Sequence, residues 1–63
     1  MKGIVKFFNS EKEFGFITGE DGKDYFVHRK DLQEGTILNK EDSVTFETEQ
    51  GEKGIKAAKV VKL

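Results

Sequence analysis

The sequence predicts an all-β fold in which five short strands close into a small barrel. β-Branched and aromatic residues are gathered into five short runs, which is typical of strands. Most of these runs are separated by polar or glycine-containing turns, and the chain has no proline and no internal repeat. Sixty-three residues make one domain, so residues 1–63 are treated as a single unit. Closure into a barrel removes the two exposed edges that an open five-stranded sheet would leave.

The first half of the chain predicts an antiparallel meander of three strands. Short turns at residues 9–12 and 19–23 join these strands and contain Asn, Ser and Gly, which favour tight turns. In the first strand Ile4 falls on the same side as Lys6, so the alternation is imperfect and indicates a bulge or an edge position. The predicted strands are residues 2–9, Phe14–Thr18 and Asp24–His28.

The second half supplies two more strands after a longer connection. That connection predicts one helical or 3₁₀ turn at residues 29–32, with Leu32 facing inward, and then either an extended piece or a hydrophobic cover at 36–38. Residues 43–48 alternate, with Val44 and Phe46 facing the core. Residues 55–63 fit a strand better than an amphipathic helix, because a hairpin turn precedes them and they contain two adjacent valines. The long connection between strands three and four predicts a five-stranded antiparallel closed barrel that is OB-like.

The composition excludes several classes of site. No cysteine is present, which excludes disulfides and thiolate metal sites, and a single histidine cannot build a zinc site by itself. No apolar run approaches the roughly 18 residues of a membrane span, and the N-terminus does not read as a signal peptide. We therefore expect a cytoplasmic protein without a metal or cofactor.

The charges are abundant but balanced. Eleven basic and twelve acidic side chains give a net charge of −1 and a pI of about 5.8. A strongly electrostatic nucleic-acid binder would usually be basic. Any positive surface must therefore arise from folding, with the acids placed in loops and on the far side of the barrel. A nucleic-acid ligand would have to gain much of its affinity from stacking.

Strand alternation predicts an exposed cluster of aromatic rings. Successive side chains of a strand point to opposite faces, and Ile17, Tyr25 and Val27 suit the inner face. The reverse assignment would bury the phenylalanines and is the alternative, but parity forbids burying both sets. Rings interleaved with cations form a surface on which single-stranded nucleic acid can stack. The predicted outer residues are Phe14, Phe16, Phe26 and His28.

Two short motifs resemble those of the bacterial cold-shock proteins, and the similarity covers essentially the whole chain. Residues 12–17, Lys-Glu-Phe-Gly-Phe-Ile, resemble the family's first ribonucleoprotein motif, which is usually Lys-Gly-Phe-Gly-Phe-Ile. Residues 26–28, Phe-Val-His, resemble the second motif, and residues 6–12 are similar to the family's first strand and turn.

This resemblance implies an OB-type barrel that binds single-stranded RNA and DNA with little sequence preference and acts as an RNA chaperone without ATP. We also expect a monomer with no catalytic residues and no membrane association. Position by position, the resemblance implies a nucleic-acid-binding surface made of Lys6, Phe7, Phe8, Asn9, Lys12, Phe14, Phe16, Phe26, His28, Lys53 and Lys56, to which Arg29 adds a planar cation.

Three of the departures from the family pattern lie at or beside the predicted binding surface. Phe7 stands where the family usually has tryptophan, which reduces the stacking surface. Glu13 replaces a glycine, so it adds negative charge and would strain the backbone if that position requires a positive φ. Arg29 stands where an aromatic residue is common.

Two alternative functions remain open at this stage. A small barrel with an aromatic patch could bind an extended or proline-rich peptide. The chain could also be a barrel variant with weakened nucleic-acid affinity, which the departures at Phe7 and Glu13 would explain.

Overall fold

The computed structural model describes residues 1–32, 37–51 and 54–63. Five strands form a closed barrel in the order β1-β2-β3-β5-β4, which confirms the predicted fold class. No helix within the described ranges is long and apolar enough to cross a membrane. The elements are β1 (Lys2–Asn9), β2 (Phe14–Gly19), β3 (Asp24–His28), a 3₁₀ turn (Arg29–Asp31), β4 (Ser43–Gly51) and β5 (Gly54–Lys62).

The barrel is built from antiparallel neighbours and is closed by one short parallel contact. β1 pairs with β2 and β4, β2 pairs with β3, and β4 pairs with β5, all antiparallel. β3 meets β5 in parallel, with Phe26 opposite Lys56, and Leu32 forms a parallel bridge to Val60. A parallel pairing needs a long connection, and the chain between β3 and β5 contains the 3₁₀ turn and all of β4.

The barrel interior holds the apolar residues that alternation assigned to it. Leu32 and Phe8 pack against this core in partly buried positions, so the inward orientation predicted for Leu32 is confirmed. Leu38 is buried and Ile37 is exposed, while Thr36 of the predicted cover lies outside the described residues. The buried cluster consists of Val5, Ile17, Tyr25, Val27, Leu38, Val44, Phe46, Ala57 and Val60.

Two bulges break the regular alternation. The β1–β2 register shifts between Val5 and Phe7, so Lys6 is an extra residue, and the predicted irregularity of this strand is a bulge. The shift leaves Val5 buried and turns Phe7 to the outside, although the two would share a face in a regular strand. A second bulge in β5 carries Lys59 at φ 50°, in the left-handed region.

Close packing between β1 and β2 explains the glycine between Phe14 and Phe16. A Cβ atom on Gly15 would lie 2.7 Å from the Cα of Phe8 and would also collide with the carbonyl oxygen of Phe7. Backbone atoms cannot move aside cheaply, so a side chain here would push the two strands apart. Gly15 therefore allows the close strand approach that sets the neighbouring rings side by side.

Candidate nucleic-acid interface

Four phenylalanine rings form a continuous chain on the outer face of β1, β2 and β3. The ring centroids of Phe7 and Phe16 are 5.6 Å apart, those of Phe16 and Phe26 are 5.7 Å apart, and those of Phe26 and Phe14 are 5.8 Å apart. These separations are those of interacting aromatic pairs. We call Phe7, Phe14, Phe16 and Phe26 the aromatic platform.

Strand register creates this platform. Phe16 lies between Phe7 on β1 and Phe26 on β3, and Phe14 lies opposite His28. Phe7 is 41% exposed and Phe26 is 37% exposed, while Phe14 and Phe16 are half-buried by their neighbours. The predicted outward orientation of the β2 and β3 rings is confirmed.

Phe8 and Asn9 have structural contacts that limit their availability to a ligand. Phe8 is half-buried and packs against the barrel core, on the opposite side of β1 from Phe7. The Asn9 side-chain oxygen accepts hydrogen bonds from the backbone N–H groups of Glu11 and Lys12, at 3.0 and 3.1 Å. Asn9 thus shapes the turn that leads into β2.

His28 adds a half-buried imidazole beside the platform. Its Nδ1 accepts a hydrogen bond of 3.1 Å from the backbone N–H of Lys30, at the start of the 3₁₀ turn. Because Nδ1 is the acceptor, the neutral ring carries its proton on Nε2. That N–H can donate a hydrogen bond to a base or a phosphate.

Asp24 binds Lys6 at one end of the platform. The Lys6 ammonium lies 3.0 Å from the Asp24 carboxylate, and the Thr18 hydroxyl donates to the same carboxylate at 2.9 Å. The bonds from Lys6 and Thr18 lower the pKa of Asp24. Asp24 shares its face with Phe26, so the expectation that acids lie in loops and on the far side is wrong at this position.

Two further predicted cations are also held in ion pairs. The Arg29 Nη1 atom lies 3.0 Å from the Glu13 carboxylate. The Lys56 ammonium lies 3.4 Å from Asp31. Lys12, in contrast, is exposed and makes no ion pair with a described residue. The prediction for Lys53 falls outside the described residues.

Lys30 is a candidate contact whose closeness to the aromatic face was evident from the sequence, although it was not among the predicted binding residues. It lies two residues beyond the end of β3, is exposed, and makes no ion pair within the described ranges. Its position two residues after His28 was the available signal. The geometry thus combines a row of adjacent aromatic rings, with interplanar angles of 47°, 76° and 28° along the row, with few uncompensated positive charges.

Comparison with known proteins agrees with this geometry. Residues 1–63 match the family model described as the 'Cold-shock' DNA-binding domain. The chain belongs to the cold-shock domain family. This family binds nucleic acid and is not enzymatic.

Curated relatives in the family are similar over nearly their full length. Cold shock-like protein CspG of Escherichia coli is 52% identical over 66 residues, covering 100% of this chain and 94% of the relative. Cold shock-like protein CspJ of Salmonella typhimurium is 53% identical over 64 residues, with 97% and 91% coverage. Cold shock protein 2 of Lactiplantibacillus plantarum is 48% identical over 60 residues, with 92% and 91% coverage.

Two departures of this cold-shock domain from the family pattern meet in space. Glu13, which replaces a glycine, has φ 60°, so the backbone does require the left-handed conformation at this position. Its carboxylate pairs with Arg29, which replaces an aromatic residue. Sequence reasoning identified each departure but not their contact, because the two residues are 16 positions apart in the chain.

Proposed function

We propose that residues 1–63 act as one monomeric, cytoplasmic cold-shock domain that binds single-stranded RNA and DNA with little sequence preference. The observation that carries this proposal is the chain of four partly exposed rings across β1, β2 and β3. Every nucleobase has a flat π face, so stacking on phenylalanine tolerates any sequence. His28 extends the same surface by one further planar group beside Phe14.

Stacking supplies most of the affinity in this proposal, because the cations near the platform are few and mostly compensated. Lys6, Arg29 and Lys56 are each paired with a carboxylate. If Lys12 and Lys30 each neutralise one phosphate, the log–log salt slope for a single strand is about −1.4. Such a shallow dependence distinguishes stacking from a mainly electrostatic mode of binding.

The same mode of binding supports an RNA chaperone activity without ATP. Bases that stack on the platform are withdrawn from base pairing, so binding competes with weak RNA hairpins. We expect the chain to increase the open fraction of a marginally stable RNA hairpin labelled with a fluorophore and a quencher. A tightly paired hairpin of the same loop serves as the control and is expected to stay closed.

Titration with hexathymidine tests the proposal directly. Phe16→Ala removes the ring that contacts both Phe7 and Phe26 and is expected to weaken binding by about 1–3 kcal/mol. Val61→Ala is the matched control, because Val61 is an exposed apolar residue on β5, where it lies opposite Thr45 of β4 and not on a platform strand.

The titration is read by chemical shifts as well as by affinity. Shifts are expected to concentrate on β1, β2 and β3 in the parent chain. Equal affinities of the Phe16→Ala and Val61→Ala variants would contradict the proposal. Binding of an extended peptide pool in place of the oligonucleotide would assign the platform to protein recognition instead.

A further inference from the structure

Glu13 occupies a backbone conformation that an L-residue rarely adopts. Its φ of 60° lies in the left-handed region, where a Cβ atom crowds the following carbonyl. The Glu13 carbonyl oxygen nevertheless accepts a hydrogen bond of 2.9 Å from the backbone N–H of Arg29. This bond ties the turn before β2 to the end of β3 and brings the two side chains together.

The side chains of these two residues form an ion pair at the rim of the aromatic platform. The Glu13 carboxylate lies 3.0 Å from the Arg29 guanidinium. Glu13 directly precedes Phe14 and Arg29 directly follows His28, and Phe14 and His28 are opposite each other across β2 and β3. The ion pair therefore lies at the Phe14–His28 end of the surface, where a bound strand would pass.

The pair is too exposed to be a strong structural element. The Arg29 side chain is 70% exposed and the Glu13 side chain is 45% exposed. Exposed ion pairs contribute little to folding, because solvent screens them and ordering two long side chains costs entropy. The consequence of this ion pair should therefore appear in ligand binding, where the cancelled positive charge matters.

We infer that Glu13 tunes the charge of the binding surface, because it neutralises Arg29 and so removes one phosphate contact. This inference rests on the proposed function. With Arg29 compensated, a phosphate at this end of the platform gains no net attraction from the Glu13–Arg29 pair, and it is repelled by Glu13 if it displaces that carboxylate from the guanidinium. Binding then depends on base stacking more than on the phosphate backbone.

Replacing Glu13 by Gln isolates the charge. Gln has the same length and also carries a Cβ atom, so the backbone strain at φ 60° is retained in both proteins. We expect Glu13→Gln to bind hexathymidine about three- to tenfold more tightly at low salt. The log–log salt slope is expected to steepen by about 0.7, which corresponds to one additional phosphate contact.

Two further variants test the role of Arg29. In an Arg29→Gln background the Glu13→Gln change is expected to produce neither the gain in affinity nor the steeper slope. Glu11→Gln is the matched control, because Glu11 lies in the same turn, is exposed, and makes no ion pair within the described ranges. It changes the net charge by the same amount and is expected to leave the salt slope unchanged.

The outcomes separate this inference from the proposed function. If the parent chain binds hexathymidine and Glu13→Gln has the same slope, the inference is overturned and the proposed function stands. An equal gain in the Arg29→Gln background also overturns it, because the effect would then be general repulsion. If Glu13→Gln binds and the parent does not, the inference is supported. If neither binds, both fail.

Discussion

The two faces of the β2–β3 hairpin both carry large apolar side chains, but the chain uses the two faces in opposite ways. On the inner face Ile17 and Val27 are completely buried. On the outer face Phe16 and Phe26 are larger, yet Phe26 is more than one-third exposed. Burying a Phe side chain contributes about 1.5–3 kcal/mol, so hydrophobicity alone would favour phenylalanine inside. The alternation of the pleat assigns these rings to the surface, where they are available to a partner.

The largest expected difference between the faces is in stability. Ile17→Ala should lower the free energy of unfolding by about 2–5 kcal/mol, because it leaves a cavity in the barrel core. Phe16→Ala, on the neighbouring position of the same strand, should cost less, because its ring is half-exposed. Denaturant unfolding of both variants measures the difference. A larger loss for Phe16→Ala than for Ile17→Ala would reverse the assignment of the two faces.

A second pair of adjacent residues should differ in binding. Phe26→Ala removes a ring that contacts both Phe14 and Phe16 and should weaken hexathymidine binding by about 1–3 kcal/mol. Tyr25→Phe, on the inner face, removes the hydrogen bond from the Tyr25 hydroxyl to Asp21 and should cost about 1 kcal/mol of stability. Calorimetric titration of both variants should find the affinity of Tyr25→Phe unchanged. A loss of affinity in Tyr25→Phe alone would be inconsistent with an outer binding face.

At the rim of the outer face, Glu13→Gly should stabilise the protein by about 1 kcal/mol. Glycine adopts φ 60° without the Cβ clash, and the lost ion pair is exposed and weak. Thermal unfolding of Glu13→Gly and Glu13→Ala separates the relief of backbone strain from the loss of the ion pair, since alanine loses the carboxylate but keeps the Cβ atom. Equal stability of the two variants would show that backbone strain is not the cause.

The smallest expected effect concerns the stability of the fold at low pH. Lys6 and Thr18 lower the pKa of Asp24 in the folded barrel, so this carboxylate stabilises the fold above the ordinary aspartate pKa of about 3.9. That contribution is lost as the pH falls through the lowered folded-state pKa. Asp24→Asn should therefore reduce stability at neutral pH and weaken its decline below about pH 4. A loss of stability with acid identical to that of the parent chain would exclude a role for Asp24. The lowered pKa values of Asp21 and Asp42 would then be the candidate cause of that loss.

Most of the fold could be predicted because its signals are local. The alternation in β2 and β3 identified Ile17 and Val27 as core residues, and the imperfect pattern around Ile4 indicated an irregularity in β1. Sequence alone did not decide whether Phe7 or Phe8 faces out. That outcome depends on the extra residue at Lys6, and the bulge is fixed by pairing with β2.

The charges of the candidate site were much harder to predict. Lys6 and Arg29 were expected to meet phosphates, yet each lies against a carboxylate from another part of the chain, Asp24 and Glu13. Side chains separated by 16 or 18 residues meet only when strands pair in register. Strand propensity carries no information about such contacts.

By itself the sequence determined the strand pattern, the face to which each hairpin ring points and the family to which the chain is similar. These properties follow from residue periodicity, which acts over a few neighbouring residues. Tertiary structure alone decided that four rings from three strands form one continuous surface and that Lys6, Arg29 and Lys56 are each paired with a carboxylate. Both depend on barrel closure and register, which bring distant residues within a few ångströms of each other.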